Sequence, residues 1–142
     1  MNVFLDSSAL AKRYVNERGS ERVEEILSSA SSIGISVICL TEVSSALCRL
    51  RREGTLSPTQ YDDRKQALFG DAKDAVIIEI TDGVVARAIQ LLEGWPLRSS
   101  DALHVACAAE WGAELFASAD ERQCKAARGY GLRVEALAAR RL

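Results

Sequence analysis

Five short runs of β-prone residues, spaced so that helical segments fill every gap, constrain this chain more than any other feature. Val3-Phe4-Leu5, Ile33 to Ile38, Val76 to Ile80 and Leu115-Phe116-Ala117 carry no charge except Glu79, and Leu132-Arg133-Val134 reads as a last strand. Runs that are apolar throughout, rather than alternating with polar residues, belong to strands covered on both faces. Strands that alternate with helices build a parallel sheet between helical layers. The expected class is therefore α/β, a three-layer α/β/α sandwich with a short parallel central sheet. At 142 residues, 48 % of them hydrophobic, the chain has the size and the apolar content for one domain over 1–142. No repeat, low-complexity tract or linker divides it.

The helical segments announce themselves at their ends. Ser7 or Ser8 is expected to cap a helix running to about Tyr14-Val15. Gly19-Ser20 restarts a second, with Val23, Ile26, Leu27 and Ala30 at helical spacing and Glu21, Glu24 and Glu25 outside. Leu40, Val43, Ala46, Leu47 and Leu50 mark a third, stopped by Gly54. Ser57-Pro58 pairs a capping residue with proline at the first helical position, and that fourth helix is expected to fade near Gly70. Asp82 is expected to cap a fifth, which Gly94-Trp95-Pro96 breaks. Ser99 or Ser100 opens a sixth that ends at Gly112, and a short seventh starts near Glu121 and stops between Gly129 and Gly131.

Charge excludes a general polyanion binder. The formal net charge is −2, and residues 1–71 and 72–142 each carry nine Lys/Arg against ten Asp/Glu. Contact with nucleic acid would have to run through local patches or bound cations. The opening run lacks the basic and long apolar regions of a secretory leader. The longest uncharged stretch, Ile26 to Thr41, holds one Gly and five Ser and is too short and too polar to span a bilayer. A soluble, cytoplasmic protein with no membrane association is the expectation. Cys39, Cys48, Cys107 and Cys124 form no CxxC pair and His104 is the sole histidine, so the clustered spacing of a structural zinc site is absent. The cysteines read as small buried hydrophobes in a reducing compartment.

The chemistry lies in four scattered acids. Open α/β sheets place their sites beyond the carboxyl ends of the strands. Asp6 ends the first run, Glu42 follows the second in the first turn, Asp101 opens the sixth helix and Asp120 lies just past the fourth run. Each has an ordinary role available: Asp6 and Asp120 as helix caps, Asp101 as a first-turn acid complementing the helix dipole, Glu42 as a solvated helix residue. Their joint placement on one sheet edge points further. Carboxylates held together repel one another and resist ionisation unless cations sit among them. Mg²⁺ and Mn²⁺ take oxygen ligands, keep several waters and can clamp a phosphate.

With their neighbours these residues resemble the PIN domain, and in particular the VapC-type toxins of bacterial toxin–antitoxin pairs. Phe4-Leu5-Asp6-Ser7-Ser8-Ala9-Leu10 resembles the family's first motif and Thr41-Glu42-Val43 its second. Leu97-Arg98-Ser99-Ser100-Asp101-Ala102-Leu103-His104, the most specific, resembles the third. Phe116-Ala117-Ser118-Ala119-Asp120 resembles the fourth, where many members carry Thr at the position of Ser118. The resemblance covers essentially the whole chain. It implies a carboxylate-bound Mg²⁺ or Mn²⁺ and hydrolysis of RNA by a metal-activated water. It further implies a homodimer, and a small VapB-like antitoxin that occupies a groove near the active site. By carry-over Asp6 and Asp101 hold the metal, Glu42 and Asp120 act through water, and the Ser8 and Ser118 hydroxyls orient the site.

Other residues are weighed beside these. Arg98, next to Asp101, is a candidate phosphate contact. Arg49, Arg51 and Arg52 either meet a phosphate or an antitoxin, or complement a helix C-terminus, and the ordinary reading is preferred. His104 shares a helix face with Asp101 and is read as a packing or supporting residue rather than a general base. Trp95 and Trp111 are read as packing residues, and Arg140 and Arg141 as a frayed end. The competing readings are a non-catalytic RNA- or protein-binding module, a housekeeping RNA-processing nuclease and a receiver-type domain. The receiver type lacks an acceptor Asp at the end of the third run. No G-x-x-x-x-G-K-[ST] and no G-x-G-x-x-G occurs, so phosphate binding by those loops is unsupported.

Overall fold

A computed structural model describes residues 1–139; Arg140 and Arg141 lie outside the described residues. Its elements run β1 (Asn2–Leu5), α1 (Ser7–Tyr14), α2 (Ser20–Ser29), β2 (Ser32–Ser36), α3 (Val37–Arg52), α4 (Pro58–Asp74), β3 (Val76–Ile78), α5 (Asp82–Gly94), α6 (Ser99–Trp111), β4 (Leu115–Ser118), α7 (Glu121–Gly129) and β5 (Val134–Ala136). The five strands form one parallel sheet in the order β3-β2-β1-β4-β5. Val3 pairs with Ile33 on one side and Leu115 on the other, so β1 sits at the centre.

Successive side chains of a strand point to opposite faces, and the core divides accordingly. Val3 and Leu5, with Ile35 of β2 and Ala117 of β4, face α1, α2, α3 and α4. Phe4 and Phe116 face α5, α6 and α7, with their rings stacked at 5.8 Å and 8° between planes. The three-layer α/β/α sandwich expected from the runs is the observed fold. Two tryptophans close the packing. A Cβ on Gly34 would meet the Trp111 ring at 2.6 Å, and one on Gly129 would meet Trp95 at 2.3 Å, so each glycine is what lets an indole lie on the backbone. All four cysteines are free, and Cys39, Cys107 and Cys124 are buried. No described helix is long and apolar enough to cross a membrane.

The element boundaries depart from the sequence reading at several ends. Asp6, not Ser7 or Ser8, caps α1, because its carboxylate accepts the Ala9 N–H. β2 stops at Ser36, whose hydroxyl caps α3, so Val37 and Ile38 are helical and Glu42 falls in the second turn. A short apolar run does not distinguish a strand end from a helix start. α4 continues through Gly70 to Asp74, since Leu68 is buried and Asp71 is held by Arg13 and Tyr14. Those anchors outweigh the roughly 1 kcal/mol that a helical glycine costs. Thr81 rather than Asp82 caps α5. β3 ends at Ile78, and β5 is Val134–Ala136, two residues later than expected at both ends.

Candidate active site

The chain leaves the central pair β1 and β4 in opposite directions, through α1 and α2 to β2 and through α7 to β5. The crevice beyond the carboxyl ends of such a pair is where open α/β sheets take ligands. Asp6 follows β1 there, fully buried. Its Oδ1 accepts from the Ala9 N–H at 2.9 Å and from Ser8 Oγ at 2.8 Å. Its Oδ2 accepts from Ser118 Oγ at 2.6 Å. Burial pushes this carboxyl above the ordinary range, while the Ser118 bond, the charge of His104 and the bonds from Ala9 and Ser8 pull it back.

Two serines tie β1 to β4. Ser118 Oγ accepts the Asp120 N–H at 2.9 Å, and Ser8 Oγ accepts the Ala119 N–H at 2.9 Å. Asp120 caps α7, its Oδ1 accepting from Arg122 N at 2.9 Å and Gln123 N at 3.2 Å. Asp101 sits in the first turn of α6, where its Oδ2 accepts from Arg98 N at 3.1 Å and Arg98 Nε at 3.3 Å. Its Oδ1 accepts from the buried Gln123 side chain at 3.0 Å. Gln123 thus joins Asp120 to Asp101, as Ser118 joins Asp120 to Asp6.

Glu42 comes from α3 and is held by α1 and α6. Its Oε1 accepts from Ser7 Oγ at 2.7 Å and lies 2.5 Å from His104 Nε2. The His104 bond, helped by Ser7, holds this carboxyl below the usual range against the effect of burial. His104 is therefore a buried support for Glu42. Arg98 is 74 % exposed and feels Asp101, Asp120 and Glu42 together, which raises its already high pKa. Glu42 and Asp120 line a cavity of about 340 Å³ with Ser7, Ser8, Glu17 and Arg49, and Ser8 connects its wall to Asp6. A separate cleft of about 190 Å³ between α1, α2 and α4, lined by Leu10, Leu27 and Leu68, contains none of the four acids.

By donor type the site suits a hard divalent cation: carboxylate and hydroxyl oxygens, with a buried Asp6 that a cation would compensate. Among the described residues, however, no group of three or more His, Cys, Asp or Glu side chains is arranged as a ready ligand set. In this conformation the acids are gathered by hydrogen bonds to protein donors. Of the six residues expected at the site from the motifs, Asp6, Ser8, Asp101, Ser118 and Asp120 form one hydrogen-bonded network completed by Gln123, while Glu42 is held separately by Ser7 and His104 and shares a cavity wall with Ser8 and Asp120. Ser7 and Gln123 escaped the sequence reading. Ser7 stood inside the first motif as an expected cap; Gln123 left no signal, since its reach to Asp101 depends on how α7 packs on α6.

The model of the family described as PIN domain matches residues 3–129. No curated protein matches the chain. Several solved structures share its fold. The FitAcB structure from Neisseria gonorrhoeae is 18 % identical with a TM-score of 0.66, over 93 % of this chain and 95 % of that one. DNA-bound VapBC from Salmonella typhimurium is 16 % identical with a TM-score of 0.69, over 96 % and 98 %. VapC20 from Mycobacterium tuberculosis, described as a sarcin-ricin loop cleaving toxin, is 15 % identical with a TM-score of 0.66, over 92 % and 95 %.

Proposed function

The chain belongs to the PIN domain family, and on that premise we propose that it is a metal-dependent endoribonuclease, the toxin of a VapBC-type pair, acting as a single domain. The observation that carries the reading is the gathering of four acids from four separate elements beyond the carboxyl ends of β1 and β4: Asp6, Asp101 and Asp120 in one hydrogen-bonded network, and Glu42 on the cavity it shares with Asp120. Capping accounts for where Asp6 and Asp120 sit, but the complete burial of Asp6 makes it costly to ionise, a cost that a cation would offset. Asp6 and Asp101 would hold Mg²⁺ or Mn²⁺, with Glu42 and Asp120 acting through water. Such a cation supplies a water of lowered pKa and a clamp for the scissile phosphate. The protein's own part is positional. Ser8 and Ser118 fix the rotamer of Asp6, Gln123 and the Arg98 N–H fix Asp101, and Ser7 with His104 fix Glu42. Arg98, mostly exposed beside the acids, meets a substrate phosphate.

The toxin reading draws on the kinds of protein that share the fold, among them VapBC and FitAB assemblies. It brings with it a cytoplasmic homodimer, a small antitoxin partner and an RNA substrate. The test is cleavage of total cellular RNA by the purified chain with Mg²⁺, with Mn²⁺ and with a chelator, beside Asp6→Asn. Discrete, metal-dependent cuts that Asp6→Asn lacks are expected. Equal cleavage by both proteins rejects the site, and equal inertness with retained RNA binding turns the reading to a non-catalytic module. Growth arrest on expression, relieved by a small protein encoded beside the gene, distinguishes a toxin from a housekeeping nuclease.

A further inference from the structure

We infer that Arg49 anchors an RNA phosphate flanking the one that is cut, so that the strand lies along the α3 side of the cavity; this rests on the nuclease reading above. The three arginines at the end of α3 look interchangeable in sequence, and all three complement a helix C-terminus. The fold separates them. Arg51 lies over the Tyr61 ring, 4.2 Å from its centroid, and is engaged there. Arg52 is exposed on the outer surface. Arg49 lines the cavity that holds Glu42 and Asp120, and among the described residues lining it Arg49 is the one cation beside the three carboxylates Glu17, Glu42 and Asp120. Its side chain is 53 % exposed, and its ion pair with Glu53 stands at 4.0 Å with both side chains more than half exposed, so that pair holds it weakly.

Geometry assigns it a flanking phosphate. Glu42 and Arg49 are seven residues apart, two turns along one helix face, or about 10 Å of rise. A stacked strand advances about 3.4 Å per nucleotide, so Arg49 stands about three nucleotides from Glu42. An acidic cavity repels the rest of a polyanion, and a cation at its far wall gives the strand a favourable exit. A guanidinium grips phosphate oxygens through paired N–H donors.

The test measures binding of fluorescein-labelled single-stranded oligoribonucleotides of two and of ten nucleotides to the full chain carrying Asp6→Asn, which separates binding from cleavage. Adding Arg49→Ala is expected to weaken the ten-nucleotide complex about three- to tenfold at 0.1 M salt and to lower the slope of log affinity against log salt by about 0.7. The two-nucleotide complex, too short to reach Arg49, is unchanged. Arg52→Ala, which removes the same charge from the same helix, changes either complex less than twofold. In the otherwise natural chain, Arg49→Ala raises KM on long RNA and leaves kcat in place. Unchanged binding of the long strand overturns the inference, as does an equal loss on both lengths or an Arg52→Ala effect of the same size. So does an Arg49→Ala defect seen only with an acidic protein partner. If the natural chain cleaves RNA and Arg49→Ala binds it normally, the inference alone falls. If the natural chain neither binds nor cleaves RNA, the nuclease reading falls and this inference with it.

Discussion

Replacing Ser118 by alanine tests whether the hydroxyls hold the acids in place. Ser118 is fully buried at the end of β4; its Oγ donates to Asp6 at 2.6 Å and accepts from the Asp120 N–H at 2.9 Å. Alanine removes one bond to a carboxylate, worth about 1.5–3 kcal/mol, and strips the Asp120 N–H of its acceptor, worth about 1 kcal/mol more where water reaches it poorly. Asp6 retains Ser8 and the Ala9 N–H, so it is loosened rather than stranded. The expected loss is about 2–4 kcal/mol, which for a chain of this length lowers Tm by about 6–12 °C. Thermal unfolding followed by circular dichroism reads it. Ser118→Thr keeps the hydroxyl and adds a methyl to a full site, at about 1–3 kcal/mol for overpacking; its Tm should lie above that of Ser118→Ala, and its nuclease activity should exceed the alanine variant's by at least about tenfold. A Ser118→Ala protein as stable as the natural chain, or one as active as Ser118→Thr, refutes the reasoning.

Four further outcomes are expected. Gln123→Ala frees Asp101 Oδ1 and should cut metal-dependent cleavage about 10–100-fold while leaving the far-ultraviolet circular dichroism intact; unaltered kinetics would show that Arg98 alone positions Asp101. Gly34→Ala drives a methyl into Trp111 and should cost about 1–3 kcal/mol with a shift in tryptophan emission, so an unshifted spectrum and an unchanged Tm would count against the packing described. In the native chain a disulfide exchange reagent should modify Cys48 first. Cys39, whose thiol burial pushes up to about 12, should wait for unfolding together with Cys107 and Cys124, and four equally fast thiols would contradict that burial. Lys12 is almost wholly buried and donates to Glu17 at 3.2 Å and to the Arg18 carbonyl at 2.6 Å; Lys12→Met keeps the stem, loses both bonds and should lower stability in urea by about 1–3 kcal/mol.

Much of this architecture is legible in the amino-acid sequence, for identifiable reasons. A strand buried on both faces must be apolar at every position, so Val3-Phe4-Leu5 and Leu115-Phe116-Ala117 stand out without knowledge of their partners. A helix start needs a side-chain acceptor, so Ser57-Pro58 was unambiguous. The choice among adjacent candidates was not. Asp6, Ser7 and Ser8 can each cap a helix, and the outcome depends on Ser7 turning to Glu42 and Ser8 to Ala119, 35 and 111 positions away. Gln123 was invisible for the same reason: a buried amide on a short helix has no local pattern, only a distant partner. Arg49 differs from Arg51 and Arg52 solely in what stands across from it.

The capping role of these acids and their proposed chemical role are not rivals. In a parallel sheet every strand delivers its carboxyl end to the same edge, and each following helix starts there with N–H groups in need of an acceptor. An aspartate that caps at the junction after β1 and another after β4 are therefore brought to neighbouring positions by the fold alone, and the register that aligns Leu5 with Ala117 sets Asp6 against the approach to Asp120. Each helix start contributes roughly half a positive charge, which lowers the cost of assembling carboxylates that would otherwise repel one another. Asp101, in the first turn of α6, gains the same benefit. Glu42 does not: its helix is capped by Ser36, and it stands a turn further on. It is also the acid that needs a hydroxyl and an imidazole from two other helices to hold it. The acids that the helix starts stabilise are tightly bound to their own backbone, and the one they do not stabilise is the one held wholly by side chains. That division makes Glu42 the most readily displaced of the four. Ser7→Ala, which removes one of those supports without opening a cavity in the core, should therefore lower nuclease activity while leaving Tm nearly unchanged.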